Sequence, residues 1–91
     1  MVKRRVNSTD FIFIDFNAHI AEISQATHGF YELRTFKSLT MSLDGNILTV
    51  SVSSARYVEW ELECSEEFAD EFRRNGACMM FCSESNEQGG H

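Results

Sequence analysis

RYVEWELECSEEFADEFRRNG, residues 56–76, carries a strand pattern that runs directly into a helix pattern, and the rest of the chain has to be fitted around it. Val58, Trp60, Leu62 and Cys64 alternate with Tyr57, Glu59, Glu61 and Glu63, the period of two that a half-buried strand requires. Ser65 then stands where a helix N-cap belongs. Glu66 and Glu67 follow in the first turn, where carboxylates meet the positive end of the helix dipole. Arg73 and Arg74 occupy the last turn, and Asn75-Gly76 supplies a left-handed stop. Phe68, Ala69 and Phe72 form a narrow apolar stripe, so the helix has to lie on the sheet face that carries Trp60, away from the glutamates. Seven acids and no base stand between Glu59 and Glu71. They fall on two surfaces that meet only near Glu63, Glu66 and Glu67.

Upstream of this unit, residues 37–43 and 46–53 flank Asp44-Gly45, a pair suited to the positive φ angles of a type I′ hairpin turn. With Asp44-Gly45 as the loop, Met41 lies opposite Leu48 and Leu39 opposite Val50, all on one face. The other face carries Ser38, Thr40, Ser42, Thr49, Ser51 and Ser53, hydroxyl-rich and nearly uncharged. Residues 30–36 (FYELRTF) read as a further strand, with Glu32 and Arg34 on one side and Tyr31, Leu33 and Thr35 on the other. Residues 11–27 read as a buried strand, FIFIDF, followed by a helix capped at Asn17 that carries Ile20 and Ile23. The helical spacing of Ile12, Phe16, Ile20 and Ile23 leaves one continuous helix from Thr9 as the alternative. After Gly76, residues 77–82 (ACMMFC) have the composition of a last short strand, either central in the sheet or paired across a homodimer. Residues 1–9 and 84–91 are polar and expected as flexible tails.

These elements define the expected fold: one α+β domain spanning residues 1–91, a mostly antiparallel sheet of four to six strands with two helices packed on one face. A chain of 91 residues buries roughly 60–65% of its unfolded surface, enough for a small core, here rich in aromatic residues. Three cysteines, Cys64, Cys78 and Cys82, lack the dense spacing of a secreted disulfide framework, which points to the reducing cytoplasm. Asp15 interrupts the short apolar run at residues 11–16, so neither a signal peptide nor a membrane span is expected.

Charge and motif content narrow the function classes. A net charge of −6 disfavours nucleic acid or an anionic membrane as a direct ligand and favours a protein with a basic surface. No nucleophile-elbow, zincin, phosphate-loop or dinucleotide pattern is present, and the carboxylates cluster in one exposed array rather than in contrasting environments, so no enzyme activity and no cofactor are expected. Cys64, Cys78 and Cys82 with His19, His28 or His91 could in principle form a zinc set. However, Cys78 and Cys82 on one strand would stand about 13 Å apart, too far to share an ion. Glu59, Glu61 and Glu63 would repeat about every 7 Å along one strand face. Glu66, Glu67, Asp70 and Glu71 continue from the helix, and the spacing along the strand is comparable to that of phosphates along DNA. These seven are the expected partner-binding residues. The expected function is a non-catalytic acidic protein-binding module, most concretely an inhibitor of a nucleic-acid-handling protein of the anti-CRISPR or anti-restriction kind, a possible DNA mimic encoded by a mobile element. Two alternatives use the same residues differently: a toxin-neutralising immunity or antitoxin protein, and a small assembly module that forms homo-oligomers.

Overall fold

The computed structural model describes residues 2–76 of the chain. Seven strands precede one helix: β1 (Val2–Arg5), β2 (Phe11–Asp15), β3 (Ile20–Gln25), β4 (Gly29–Arg34), β5 (Ser38–Asp44), β6 (Ile47–Ser53), β7 (Tyr57–Glu63) and α1 (Glu66–Asn75). They form two antiparallel meanders, a four-stranded sheet A in the order β1-β2-β3-β4 and a three-stranded sheet B in the order β5-β6-β7. Sheet A contributes Ile12, Ile14, Ala21 and Ile23 to the core, and sheet B contributes Leu48, Val50, Val52, Trp60 and Leu62. All nine alternate with outward neighbours, as strands with one solvated face must.

α1 closes the gap at the side of the sandwich. It touches β5, and its Glu71 pairs with Arg4 of β1, while Arg73 donates to the Gly45 carbonyl at 2.9 Å. Its buried residues Phe68 and Ala69 share the core with Trp60, so the helix lies on the side away from the glutamates, as the apolar stripe requires. The Ser65 hydroxyl accepts from the Phe68 N–H at 3.2 Å, and Gly76 at φ 61° ends the helix. Ser65→Ala leaves that amide unpaired. It is expected to cost about 1 kcal/mol, read as a fall of roughly 4–8 °C in the thermal unfolding midpoint.

The fold is mostly β, and four expectations are corrected. In place of one sheet of four to six strands with helices on one face, seven strands divide into two sheets that share a core, since β4 and β5 do not pair and buried Phe36 carries the chain from one sheet to the other. Residues 17–25 form a turn and β3, not a helix; α1 is the one helix among the described residues. Asp15 decides this locally: its Oδ1 accepts from the N–H groups of Asn17 at 3.0 Å and Ala18 at 3.1 Å, and His19 sits at φ 58°, which turns the chain back antiparallel to β2. Ile20 and Ile23, read as one helix stripe, then fall on opposite faces, Ile23 buried and Ile20 outward beside Asp15 and Arg34. The N-terminal residues, expected in a flexible tail, pair as β1 along β2 from Val2↔Ile14 to Arg5↔Phe11. The hairpin register also slips by two residues: Leu43 pairs with Leu48, Met41 with Val50 and Leu39 with Val52, so the loop is Gly45-Asn46. Gly45 has φ 61° and Asn46 is not in the positive-φ region, a type II′ arrangement that uses glycine at the first loop position. A slip of two preserves strand parity, and the predicted core and hydroxyl faces both survive.

The passage between sheets is tied at both ends. Phe36 is buried, its N–H reaches the His19 carbonyl at 3.1 Å, and Lys37 N–H reaches the Ser53 carbonyl at 2.7 Å. The His19 ring stacks on Phe36 at 5.4 Å and places Nδ1 2.8 Å from the Phe36 carbonyl, which accounts for that histidine structurally. At the opposite junction Ser65 N–H donates to the Val6 carbonyl at 2.8 Å and Cys64 N–H to the Asn46 carbonyl at 2.7 Å. The expected last strand, residues 77–82, and the tail at 84–91 lie outside the described residues.

Candidate functional site

The outward positions of sheet B form a regular lattice. β7 presents Glu59, Glu61 and Glu63; β6 places Ser51 beside Glu59, Thr49 beside Glu61 and Ile47 beside Glu63. β5 adds Thr40, Ser42 and Asp44 in the same rows. No lysine or arginine stands on an outward position of these three strands. The result is a column of three exposed carboxylates spaced about 7 Å apart, with a fourth, Asp44, at the end of the Glu63 row, set in a field of hydroxyls. Tyr57 Oη donates to Glu59 Oε2 at 2.8 Å and Ser51 Oγ to the same oxygen at 3.2 Å, fixing the first carboxylate of the column.

The helix acids behave differently. Glu71 is paired with Arg4, Asp70 with Arg73 at 3.0 Å, and Glu66 accepts from the Asn46 side chain at 3.2 Å. Those three carboxylates hold α1 to β1, to its own last turn and to the β5–β6 hairpin, so their charge is directed at the fold. Glu67 borders a cavity of about 330 Å³ that Arg4 and Arg5 also line. The seven expected partner-binding residues therefore divide into an outward trio, Glu59, Glu61 and Glu63, and a helix group, Glu66, Glu67, Asp70 and Glu71, largely engaged within the molecule. Asp44 belongs with the trio and was missed because the sequence reading placed it in the hairpin loop.

Other chemistry-bearing groups have structural employment. Cys64 is buried in the core, with Sγ 3.7 Å from the Leu62 carbonyl, and burial pushes its thiol up to about 11, so it is a neutral thiol at physiological pH. Among the described residues no group of three or more His, Cys, Asp or Glu side chains is placed to hold a metal ion. Cys78, Cys82 and His91 of the zinc set lie outside them. Asp10 borders a polar cavity of about 400 Å³ at one end of the sandwich. Desolvation by burial acts to raise its carboxyl, but the Ala26 N–H at 3.0 Å with the Asn7 amide and Thr9 hydroxyl outweighs that and holds it below the usual value. These bonds tie the β1–β2 loop to the β3–β4 loop.

Sheet A presents a different outer face. Glu22 and Glu32 are register partners on β3 and β4, and desolvation together with the hydrogen bond and charge of Glu32 raises the Glu22 carboxyl above its ordinary 4.5. Protonated Glu22 is thus favoured by folding, and its ionisation costs stability as the pH rises above 4.5, in full once the pH exceeds the raised folded value. Glu22→Gln is expected to raise the unfolding midpoint slightly at pH 7, the gain kept small by solvent screening. The advantage should close as the pH falls below 4.5, where wild-type Glu22 is protonated in both states; a pH series of thermal melts on the two proteins reads it directly.

Comparison of the chain with protein-family models, with curated proteins and with solved structures finds no match. No helix among the described residues is long and apolar enough to cross a membrane.

Proposed function

We propose that this protein is a non-catalytic binding module that presents the outer face of sheet B to a protein with a basic surface. The observation that carries the reading is the column Glu59, Glu61, Glu63, extended by Asp44, on three strands that carry no base on that face. Like charges at successive same-face positions repel one another, so the column costs the isolated fold stability that a cationic partner would return. The surrounding hydroxyls, Ser51 and Thr49 foremost, can donate and accept at short range once the charges have aligned the two surfaces. A groove built to hold phosphates offers the matching pattern of positive charge. In its most concrete form the protein is therefore an inhibitor that occupies such a groove on a nucleic-acid-handling protein in the cytoplasm, of the anti-CRISPR or anti-restriction kind and encoded by a mobile element.

The reading is tested by capture from the source cell and its associated hosts on immobilised wild-type protein and on Glu59→Gln/Glu61→Gln/Glu63→Gln, each washed at low and high salt. A nucleic-acid-binding protein held by the wild type alone, released by salt and displaced by double-stranded DNA supports it. A partner held equally by both proteins and indifferent to salt contradicts it. A single cognate nuclease as the captured partner would assign the same face to toxin neutralisation.

A further inference from the structure

Opposite the acidic face, the outer side of sheet A carries three phenylalanines. Phe11 and Phe13 of β2 are half-buried and Phe30 of β4 is 63% exposed. Between them lies a dent of about 110 Å³ whose rim includes Lys3, Glu22 and Ser24, room for a side chain and little more. Charge is laid out across this face by strand. Lys3 and Arg5 stand on the edge strand β1, and Glu22 and Glu32 on β3 and β4. Register puts Lys3, Phe13, Glu22 and Glu32 in one row across the sheet, and Arg5, Phe11, Ser24 and Phe30 in the next.

We propose that this face is a homodimer interface, in which two copies pack sheet A against sheet A about a two-fold axis parallel to the strands. Such an axis reverses the strand order but keeps each row in place, so β1 of one copy lies over β4 of the other and β2 over β3. Lys3 then meets Glu32 of the second copy, and Arg5 meets the ring of its Phe30, a cation over an aromatic face. Each of these contacts occurs twice by symmetry. Phe11 and Phe13 fall over Ser24 and Glu22 of the second copy, beside its dent. The other in-plane axis, perpendicular to the strands, would stack β1 on β1, base over base along that edge, and like charge disfavours it. Two sheets stacked in this way stand about 10 Å apart, the spacing that interdigitating side chains fill.

Single-stranded nucleic acid, the other occupant that an aromatic sheet face can suggest, fits less well. The cations beside the aromatic rings, Lys3 with Nζ 4.8 Å and Arg5 with its guanidinium carbon 4.5 Å from the Phe11 centroid, both come from the edge strand β1. Glu22 and Glu32 would also lie among the phosphates. In the dimer Glu32 gains a cation instead: Arg34 reaches it at 3.3 Å from within its own chain, and Lys3 of the second copy approaches from above. The arrangement leaves sheet B exposed on both outer sides, so it is independent of the acidic-face reading and would make that binding bivalent.

Sedimentation equilibrium of the full chain tests it, with circular dichroism on each variant as the check on folding. The wild type is expected to dimerise, and Phe30→Asp, Lys3→Glu and Glu32→Lys each to weaken the dimer at least about tenfold. Lys3→Glu mixed with Glu32→Lys is expected to restore it, because in the mixed pair each acid again faces a base. If a charge variant fails to fold, Phe30→Asp, at a mostly exposed position, decides. A wild type that stays monomeric, a dimer that survives Phe30→Asp, or well-folded charge variants that do not complement each other would overturn the proposal. So would a monomer that gains a second copy only when single-stranded oligonucleotide is added.

Discussion

Trp60→Ala is expected to cost about 3–5 kcal/mol, a large share of the stability of a domain this size. Trp60 is the peg between the two sheets. It is 9% exposed, pairs in register with Val50 on β6, and meets Tyr31 of β4 edge-on at 5.2 Å. Tyr31 is in turn held by Arg56, which donates to its hydroxyl at 2.6 Å. Removing the indole deletes the largest side chain of the core and leaves a cavity beside Tyr31 and Val50. The aromatic pair adds roughly 0.5–1.5 kcal/mol beyond the buried area, so Tyr31→Ala should reproduce part of the loss. Thermal or urea unfolding followed by circular dichroism reads the effect, expected as a fall of more than about 12 °C in the midpoint. Tyr57→Ala on the same strand, 64% exposed, serves as the control and should shift it little. A Trp60→Ala midpoint within a few degrees of wild type would mean that the two sheets are not joined through this residue.

The unit at residues 56–76 was legible in the sequence because every local signal in it agrees. Strict alternation, an N-cap serine, acids first, bases last and a glycine stop all specify one strand and one helix, and β7 and α1 occupy those positions. Residues 17–25 were misread because Ile20 and Ile23 stand three apart, which suits a helix as well as a strand whose two faces both accept isoleucine. The contact that settles the matter, the Asp15 carboxylate on the N–H groups of Asn17 and Ala18, is a turn signal hidden inside an apolar run. β1 was missed for a related reason: Lys3, Arg4 and Arg5 read as a solvated tail. In the fold Lys3 and Arg5 lie over Phe11, and Arg4 reaches inward to Glu71.

The candidate site was legible in part. Alternation alone put Glu59, Glu61 and Glu63 on one face of their strand and the hydroxyls of the hairpin on one face of theirs, and the two-residue slip in register left both statements intact; that the two faces coincide follows from the β6–β7 register. What sequence could not supply was the employment of the helix acids. The partners of Glu66 and Glu71 are 20 and 67 residues distant in the chain, pairings that only the packed helix creates. The aromatic face of sheet A escaped notice because FIFIDF reads as wholly buried. With β1 and β3 in place, Ile12 and Ile14 turn inward and Phe11 and Phe13 turn out.

Reversing Glu59, Glu61 and Glu63 together to lysine is expected to weaken partner binding by at least about 100-fold while moving the unfolding midpoint by no more than a few degrees. The three side chains are exposed and make no contact with the core, so the fold has little to lose. The binding loss is large because each reversal both removes an attraction and places a cation against a cation. The matched reversal on the helix, Glu66→Lys with Asp70→Lys, should show the opposite balance: weaker attachment of α1, since Asn46 and Arg73 each lose one of their partners, and a smaller effect on binding.

The most direct measurement is a titration of the captured partner with the wild type and with the Glu59→Lys/Glu61→Lys/Glu63→Lys variant, each at two salt concentrations and in the presence and absence of double-stranded DNA. The expected result is tight wild-type binding that weakens steeply with salt and is competed by DNA, with no measurable binding by the folded variant. Wild-type affinity in the variant, unchanged by salt or by DNA, would contradict the assignment of function to this face.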